Sequence, residues 1–251
     1  MPADLPHLLL LTAAVAFGAF VQGAIGFAFV LLVTPLLIAL GMSLPQTIAI
    51  GLVCVVVQTA LSCWQARGEL PWRDVGTVIG WRLLGLPLGI AALTKLAVSD
   101  PQIVKQVVGA ALLLAVALLA VARPRPAEHV PIWATATAGT SSGFLAGLTG
   151  MGGPPLVLWL TLRDWPTRRT RGFLWLSFVL MIPVQFVLLA WQFPTDTRTG
   201  AIYGLAALPV VAGASFIGVR AGDRLPRERL RQVMLGVLVV LGLIHVTAPL
   251  W

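Results

Sequence analysis

Long stretches without a charged side chain alternate with short polar ones. The alternation divides the chain into apolar blocks at approximately 8–40, 46–64, 75–94, 103–122, 131–162, 172–192, 199–219 and 232–249. A bilayer crossing takes about 20 mainly apolar residues, so the blocks predict membrane helices. Two blocks do not fit one crossing: residues 8–40 would make a straight helix of about 50 Å, against a hydrocarbon core of roughly 30 Å. Both 8–40 and 131–162 are interrupted by glycine, at Gln22-Gly23-Ala24-Ile25-Gly26 and at Gly147-Leu148-Thr149-Gly150-Met151-Gly152-Gly153-Pro154-Pro155. Such residues at membrane depth leave backbone groups unpaired, which is tolerated only where protein or water satisfies them. Each long block is therefore expected to be discontinuous, made of two shorter helices.

Composition removes the soluble alternatives. Of 251 residues, 58% are apolar or aromatic and 10% charged, where soluble domains carry about 25% charged residues. The formal charge of +8 does not mark a nucleic-acid binder, because the basic residues sit in short gaps between apolar runs, the positive-inside pattern of a multi-pass membrane protein. Cys54 and Cys63 share one apolar block, with neither metal-ligand nor disulfide-framework spacing, and read as small core residues. No cofactor or metal set is predicted. Met1-Pro2-Ala3-Asp4 lacks the basic start of a secretory signal, so the first block is expected to belong to the fold.

An internal repeat is visible. Val57-Gln58-x-x-Leu61-x-x-Trp64-Gln65 recurs as Val184-Gln185-x-x-Leu188-x-x-Trp191-Gln192, Gly23-x-x-Gly26 as Gly147-x-x-Gly150, and Gln106-Val107 as Gln232-Val233. Gly76, Gly80 and Gly89 match Gly200, Gly204 and Gly213 at an offset of 124 (200 − 76). The expected organisation is a first transmembrane repeat over 1–122, a linker over 123–130 containing Arg123-Pro124-Arg125-Pro126, and a second repeat over 131–251. The fold class is then an all-α polytopic membrane protein of two homologous repeats, each of about four hydrophobic helical segments, with the first and fifth segments discontinuous.

Charge counting sets the orientation. If both long blocks cross once, the loop lysines and arginines divide eleven to five. If both are re-entrant hairpins, they divide thirteen to three, with Lys95, Lys105 and Arg198 on the sparse side and Arg67, Arg123 and Arg125 among the thirteen. The second division obeys the positive-inside rule better. It also gives each half an odd number of crossings and hence an inverted repeat, an arrangement typical of secondary transporters.

The nine acidic residues all fall in loops or at block ends. Intramembrane carboxylates are the usual proton carriers and sodium ligands of pumps, so cation transport is disfavoured. Arg82, inside the third block, is the exception to charge avoidance. Its planar fork suits carboxylate, sulfonate or phosphate oxygens, although an arginine there could also snorkel to an interface or bond buried carbonyls. A helix starting at membrane depth binds anions through unpaired N–H groups, and Gly152-Gly153-Pro154-Pro155 has the composition of such a start. Thr149 could add a hydroxyl. Gln22 and Gly23 are the first-half counterparts, while Ala28 and Phe29 stand in place of Gly152 and Gly153. These glycines could instead serve only close helix packing. Gln58 and Gln185 occupy equivalent positions in the two halves and either line the path or join helices, with Ser62 and Ser177 near the same faces. The candidate substrate-binding residues are thus Gln22, Gly23, Gly26, Gln58, Arg82, Gly147, Thr149, Gly150, Gly152, Gly153 and Gln185. Trp64, Trp72, Trp133, Trp165, Trp191 and Trp251 lie at block ends and read as interfacial anchors.

Gly139-Thr140-Ser141-Ser142-Gly143 fits Gly-x-Ser-x-Gly, and His245 lies in another block, the pairing an intramembrane serine hydrolase would use. Short glycine-serine patterns are frequent in membrane helices, which leaves the hydrolase an alternative, along with an assembly subunit that moves no substrate. The pairs Gly85/Gly89 and Gly200/Gly204 admit close helix contacts within one chain or across a homodimer.

Leu145-Ala146-Gly147-Leu148-Thr149-Gly150-Met151-Gly152-Gly153-Pro154, with the weaker Gln22-Gly23-Ala24-Ile25-Gly26-Phe27 in the first half, resembles the TauE/SafE sulfite exporter family, also called the toluenesulfonate uptake permeases. The resemblance covers nearly the whole chain. It implies a multi-pass transporter of the bacterial inner membrane for a small anion such as sulfite, a sulfonate or sulfoacetate. The first half departs from the pattern, its glycine run reduced to Gly26-Phe27-Ala28-Phe29. A ligand held between the breaks at 22–29 and 147–155, near mid-membrane, is the expectation.

Overall fold

The computed structural model describes residues 5–26, 28–65, 70–121, 130–224 and 227–247. These form ten helices and no strand among the described residues: α1 (Leu5–Ile25), α2 (Phe29–Ala39), α3 (Leu44–Gln65), α4 (Trp72–Ala97), α5 (Pro101–Val121), α6 (Ile132–Thr149), α7 (Gly153–Leu160), α8 (Thr167–Gln192), α9 (Pro194–Arg224) and α10 (Arg227–Thr247). Five helices carry stretches long and apolar enough to cross a membrane: Leu8–Ile25, Trp72–Ala97, Pro101–Ala120, Arg168–Gln192 and Pro194–Gly222. The linker candidates Arg123 and Arg125, together with Arg67, Phe27 and Trp251, lie outside the described residues, as does the side chain of Trp64.

The two long apolar blocks each contain two helices of unequal length. Residues 26–28 separate α1 from α2, with Gly26 at φ 97° and Ala28 at φ 94°. A left-handed alanine is disfavoured by roughly 1–2 kcal/mol. Gln22 supports it from both ends: its carbonyl accepts from Gly26 N–H at 2.6 Å, and its side-chain Oε1 accepts from Phe29 N–H, the first of α2, at 3.1 Å. Gly150, at φ 78°, ends α6 by donating to the Ala146 carbonyl at 2.9 Å, the geometry for which glycine is favoured. At eleven and eight residues, α2 and α7 rise only about 17 and 12 Å, too little to cross.

Both short helices fold back along their predecessors. Gly18 of α1 packs against Phe29 and Val33 of α2. In the second half Ser142 Oγ donates to the Gly152 carbonyl at 2.6 Å and Trp159 Nε1 donates to Thr135 Oγ1 at 3.0 Å, so α7 runs antiparallel to α6.

Glycine decides how closely the longer helices approach. On α6, Gly139, Gly143 and Gly147 lie against the backbone or Cβ of Val78, Trp81, Arg82 and Leu86, while Gly85 and Gly89 of α4 lie against the carbonyls of Thr140 and Phe144. The paired numbers rise together, so α4 and α6 are parallel and interlocked, each carbonyl sitting where a Cβ would stand. A second parallel pair matches this one: Gly218 and Gly222 of α9 lie on the carbonyls of Phe20 and Ala24 in α1, and Gly23 lies on Ser215. Gly200 and Gly204 pack on α3 at Gln46 and Val53, whereas Gly76, Gly80 and Gly213 face open space. The main apolar core gathers α1, α2, α3 and α5 with parts of α8, α9 and α10.

Candidate functional site

Arg82 stands ten residues into α4, about 15 Å along its axis, and is only 2% exposed. The α4–α6 interlock is what buries it, since Gly143 lets α6 lie directly on the Arg82 backbone. Its Nη1 donates to the Ser177 carbonyl of α8 at 2.8 Å, and its guanidinium lies 5.7 Å from the centre of the Phe178 ring. Nε is buried without a partner, and no carboxylate among the described residues pairs with this arginine. Bonding to a buried carbonyl, one of the roles left open by the sequence, accounts for a single donor of the five on the fork.

The guanidinium faces a cavity of about 50 Å³, several times the roughly 10–15 Å³ that one water requires. Gln22, Ala28 and Phe29 from the first break line it, with Gly150, Gly152 and Gly153 from the second and Arg82, Phe178, Met181 and Gln185 from α4 and α8. A Cβ on Gly152 would stand 3.2 Å from Arg82 Nη2 and 2.8 Å from both the Ser142 carbonyl and Ala146 Cβ. Only glycine lets the second break approach the guanidinium this closely.

The start of α7 offers fewer donors than a helix normally does. Gly152 caps it without any side-chain bond, and proline occupies the second and third positions. Pro154 and Pro155 have no N–H, leaving Gly152 and Gly153 as the orphan donors of the first turn. The start of α2 is occupied, because Gln22 Oε1 already accepts from Phe29.

Six of the eleven candidates therefore meet around one cavity: Gln22, Arg82, Gly150, Gly152, Gly153 and Gln185. Gln185 donates from Nε2 to the Ala146 carbonyl at 2.7 Å, bracing the last turn of α6 beside Gly150. The other five are placed elsewhere. Gly23 and Gly147 are helix-contact glycines on Ser215 and Leu86, and Gly26 lies beside the Arg171 side chain. Thr149 is fully buried, its hydroxyl donating to the Leu145 carbonyl at 3.0 Å. Gln58 accepts from Ser215 Oγ at 2.8 Å and donates to the Cys54 carbonyl at 3.3 Å, joining α3 to α9. Phe178 and Met181 supply an apolar wall that sequence reasoning missed, since aromatic and methionine residues in an apolar run carry no distinguishing signal.

The hydrolase geometry is not assembled. Ser141 Oγ is exposed and donates to the Thr137 carbonyl at 2.6 Å, while the His245 ring is held between the carbonyls of Leu241 and Pro35 at 2.9 and 3.0 Å. Gly139 and Gly143 of the Gly-x-Ser-x-Gly pattern are consumed by the contact with α4. Among the tryptophans, Trp72, Trp133 and Trp191 are exposed, as anchors would be. Trp165 differs: it packs on Trp159 and Phe173 at 6.1 and 5.9 Å between ring centres.

The family described as sulfite exporter TauE/SafE matches residues 10–244. A protein of Cupriavidus necator named "Probable sulfite/organosulfonate exporter TauE" is 28% identical over 239 residues, covering 94% of this chain and 92% of that protein. No solved structure matches the chain.

Proposed function

The chain belongs to the sulfite exporter TauE/SafE family, membrane transporters rather than enzymes, and we propose that it is a secondary carrier or facilitator for a small sulfur-containing or organic oxyanion. The observation that carries this reading is Arg82: a cation with one hydrogen bond and no carboxylate partner among the described residues, lining a partly open cavity where two chain breaks meet. A guanidinium at membrane depth costs at least about 2.5–3.5 kcal/mol, and a bound anion offsets that cost. In this reading Arg82 supplies the charge and the N–H groups of Gly152 and Gly153 take anion oxygens. The side-chain amides of Gln22 and Gln185 border the same space, and Phe178 and Met181 exclude water. A cavity of about 50 Å³ favours sulfite or a sulfonate with a short tail over an aryl sulfonate.

Alternating access between two inverted halves, on either side of residues 123–130, supplies the movement. Several contacts support the halves being inverted copies. Gly89 meets Phe144 as Gly218 meets Phe20, and Gly147 meets Leu86 as Gly23 meets Ser215. The offsets are 144 − 20 = 124 for α1 and α6, and 218 − 89 = 129 for α4 and α9. By these contacts the counterpart of Gly89 in the second half is Gly218, at an offset of 129, rather than the Gly213 expected from sequence at an offset of 124. Helix directions add to this: α6 is parallel to α4 and α1 to α9, so α6–α7 opens from the face where α4 begins and α1–α2 from the opposite one. The face where α4 begins is also the arginine-rich one, which the positive-inside rule directs to the cytoplasm of a bacterial inner membrane.

The test is uptake of labelled sulfite into proteoliposomes holding the purified protein, with unlabelled sulfonates, thiosulfate, carboxylates and phosphate as competitors. Saturable flux with sulfite and short sulfonates as the strongest competitors is the expected result. Absence of flux for every anion in a folded preparation would overturn it and favour the assembly-subunit reading.

A further inference from the structure

A second hollow, of about 580 Å³, opens on the arginine-rich face between the first turns of α4 and α6 and the end of α7. Arg73, Arg163 and Arg169 line it together with Asp74, so three positive charges meet one negative charge. Asp74 reaches Arg163 Nη2 at 3.4 Å and Arg169 Nη2 at 3.5 Å, longer than the roughly 2.7–2.9 Å of a well-made charged hydrogen bond. One carboxylate is shared loosely between two guanidiniums.

The arginines are held by something other than that carboxylate. Arg163 lies over Trp159 at 4.6 Å and Trp165 at 5.4 Å, and Arg169 over Trp165 at 4.4 Å. Stacking on a ring face fixes a guanidinium without consuming its N–H donors, so these forks remain available to oxygen ligands. Arg163 Nε is buried and has no partner. Thr135 Oγ1, in the same lining, accepts from Trp159 Nε1, which leaves its own hydroxyl proton free to donate.

We propose that this hollow is a second, shallower oxyanion site, in which Asp74 is the resident competitor that an incoming anion displaces from Arg163 and Arg169. The proposal rests on the anion-carrier reading and places a collecting vestibule on the arginine-rich side. Trp159 lies in its lining and belongs to α7, the helix whose other end, Gly152–Gly153, borders the Arg82 cavity. The two sites are therefore separated by about 12 Å, the length of α7. Surplus positive charge at the outer site raises the local anion concentration.

Opposite signs distinguish this from a structural ion-pair cluster. Calorimetric titration of the purified full-length protein with sulfite should show tighter binding in Asp74→Asn and weaker binding in Arg169→Gln. Each shift is expected to be roughly two- to fivefold, the range of exposed ion pairs. Arg169 is 46% exposed, so its substitution is compatible with folding. Arg82→Gln should abolish flux yet retain the Asp74-sensitive binding. If both variants weaken binding, or if Arg82→Gln removes all of it, the vestibule is overturned while flux by the unmutated protein still supports the carrier. Absence of flux together with opposite shifts would overturn the carrier reading and keep the site. The titrations are repeated in nanodiscs of phosphatidylcholine with and without phosphatidylglycerol. If the anionic lipid erases the difference between the variants, the occupant is a lipid phosphate and the proposal fails.

Discussion

Replacing Arg82 by methionine should separate stability from transport, and the two magnitudes can be worked from its surroundings. Removing the charge relieves an insertion cost of about 2.5–3.5 kcal/mol. It also deletes one charged hydrogen bond, to the Ser177 carbonyl at 2.8 Å, for which a loss of roughly 1.5–3 kcal/mol is typical. These terms nearly cancel, and methionine keeps the unbranched stem against Phe178. Arg82→Met should therefore unfold within about 1 kcal/mol of the parent, or be slightly more stable. Transport should respond very differently. An anion 4 Å from a guanidinium gains about 4 kcal/mol at an effective dielectric of 20, and each 1.4 kcal/mol or so is a factor of ten in affinity. Sulfite affinity should then fall on the order of a hundred- to a thousandfold, with Arg82→Lys in between because it keeps the charge and loses the fork. The assay pairs thermal unfolding in detergent with sulfite uptake into proteoliposomes. Flux equal to the parent in a folded Arg82→Met protein would refute the anion role. Destabilisation by several kcal/mol would show instead that Arg82 is a structural tie to α8.

Three further outcomes follow from the placement of individual residues. Gly152→Ala should remove most transport and also lower thermal stability, because its Cβ would stand 2.8 Å from the Ser142 carbonyl and Ala146 Cβ and 3.2 Å from Arg82 Nη2; uptake at saturating sulfite and thermal unfolding in detergent measure the two effects. The equivalent glutamines should behave differently: Gln58→Leu should lower thermal stability by about 1 kcal/mol, as for loss of an intramolecular hydrogen bond, with KM unchanged, whereas Gln185→Leu, at the cavity wall, should raise KM for the anion. In a background with both native cysteines replaced, Asp100→Cys and Asp164→Cys, at exposed positions, should react with an impermeant thiol reagent from opposite sides of the membrane; labelling from one side would refute the inverted arrangement.

The extent to which the site was legible in sequence varied with the kind of signal. A charge in an apolar run violates solvation energetics by itself, so Arg82 stood out without knowledge of its neighbours. Glycines and prolines also declare a chain break locally: the turn at Gly150 needs a positive φ, and proline opens the following helix without losing a hydrogen bond. What a glycine is for is a different matter. Gly147 and Gly152 are five residues apart in one motif, yet the first receives α4 and the second borders the cavity. Nothing local separates them, because the use of a missing Cβ depends on which helix arrives opposite it.

The sequence by itself determined that the chain lies in a membrane, where its long apolar blocks are interrupted, and which cation falls inside an apolar block, because these follow from the cost of placing each residue in hydrocarbon or in water. Only the tertiary structure decided that Gln185 reaches the cavity while its counterpart Gln58 ties α3 to α9. It alone showed that Trp165 joins an aromatic cluster with Trp159 and Phe173, and that Gly89 matches Gly218 in its packing. Those outcomes depend on helix register and on which neighbour each face meets, and both are set by packing among distant parts of the chain.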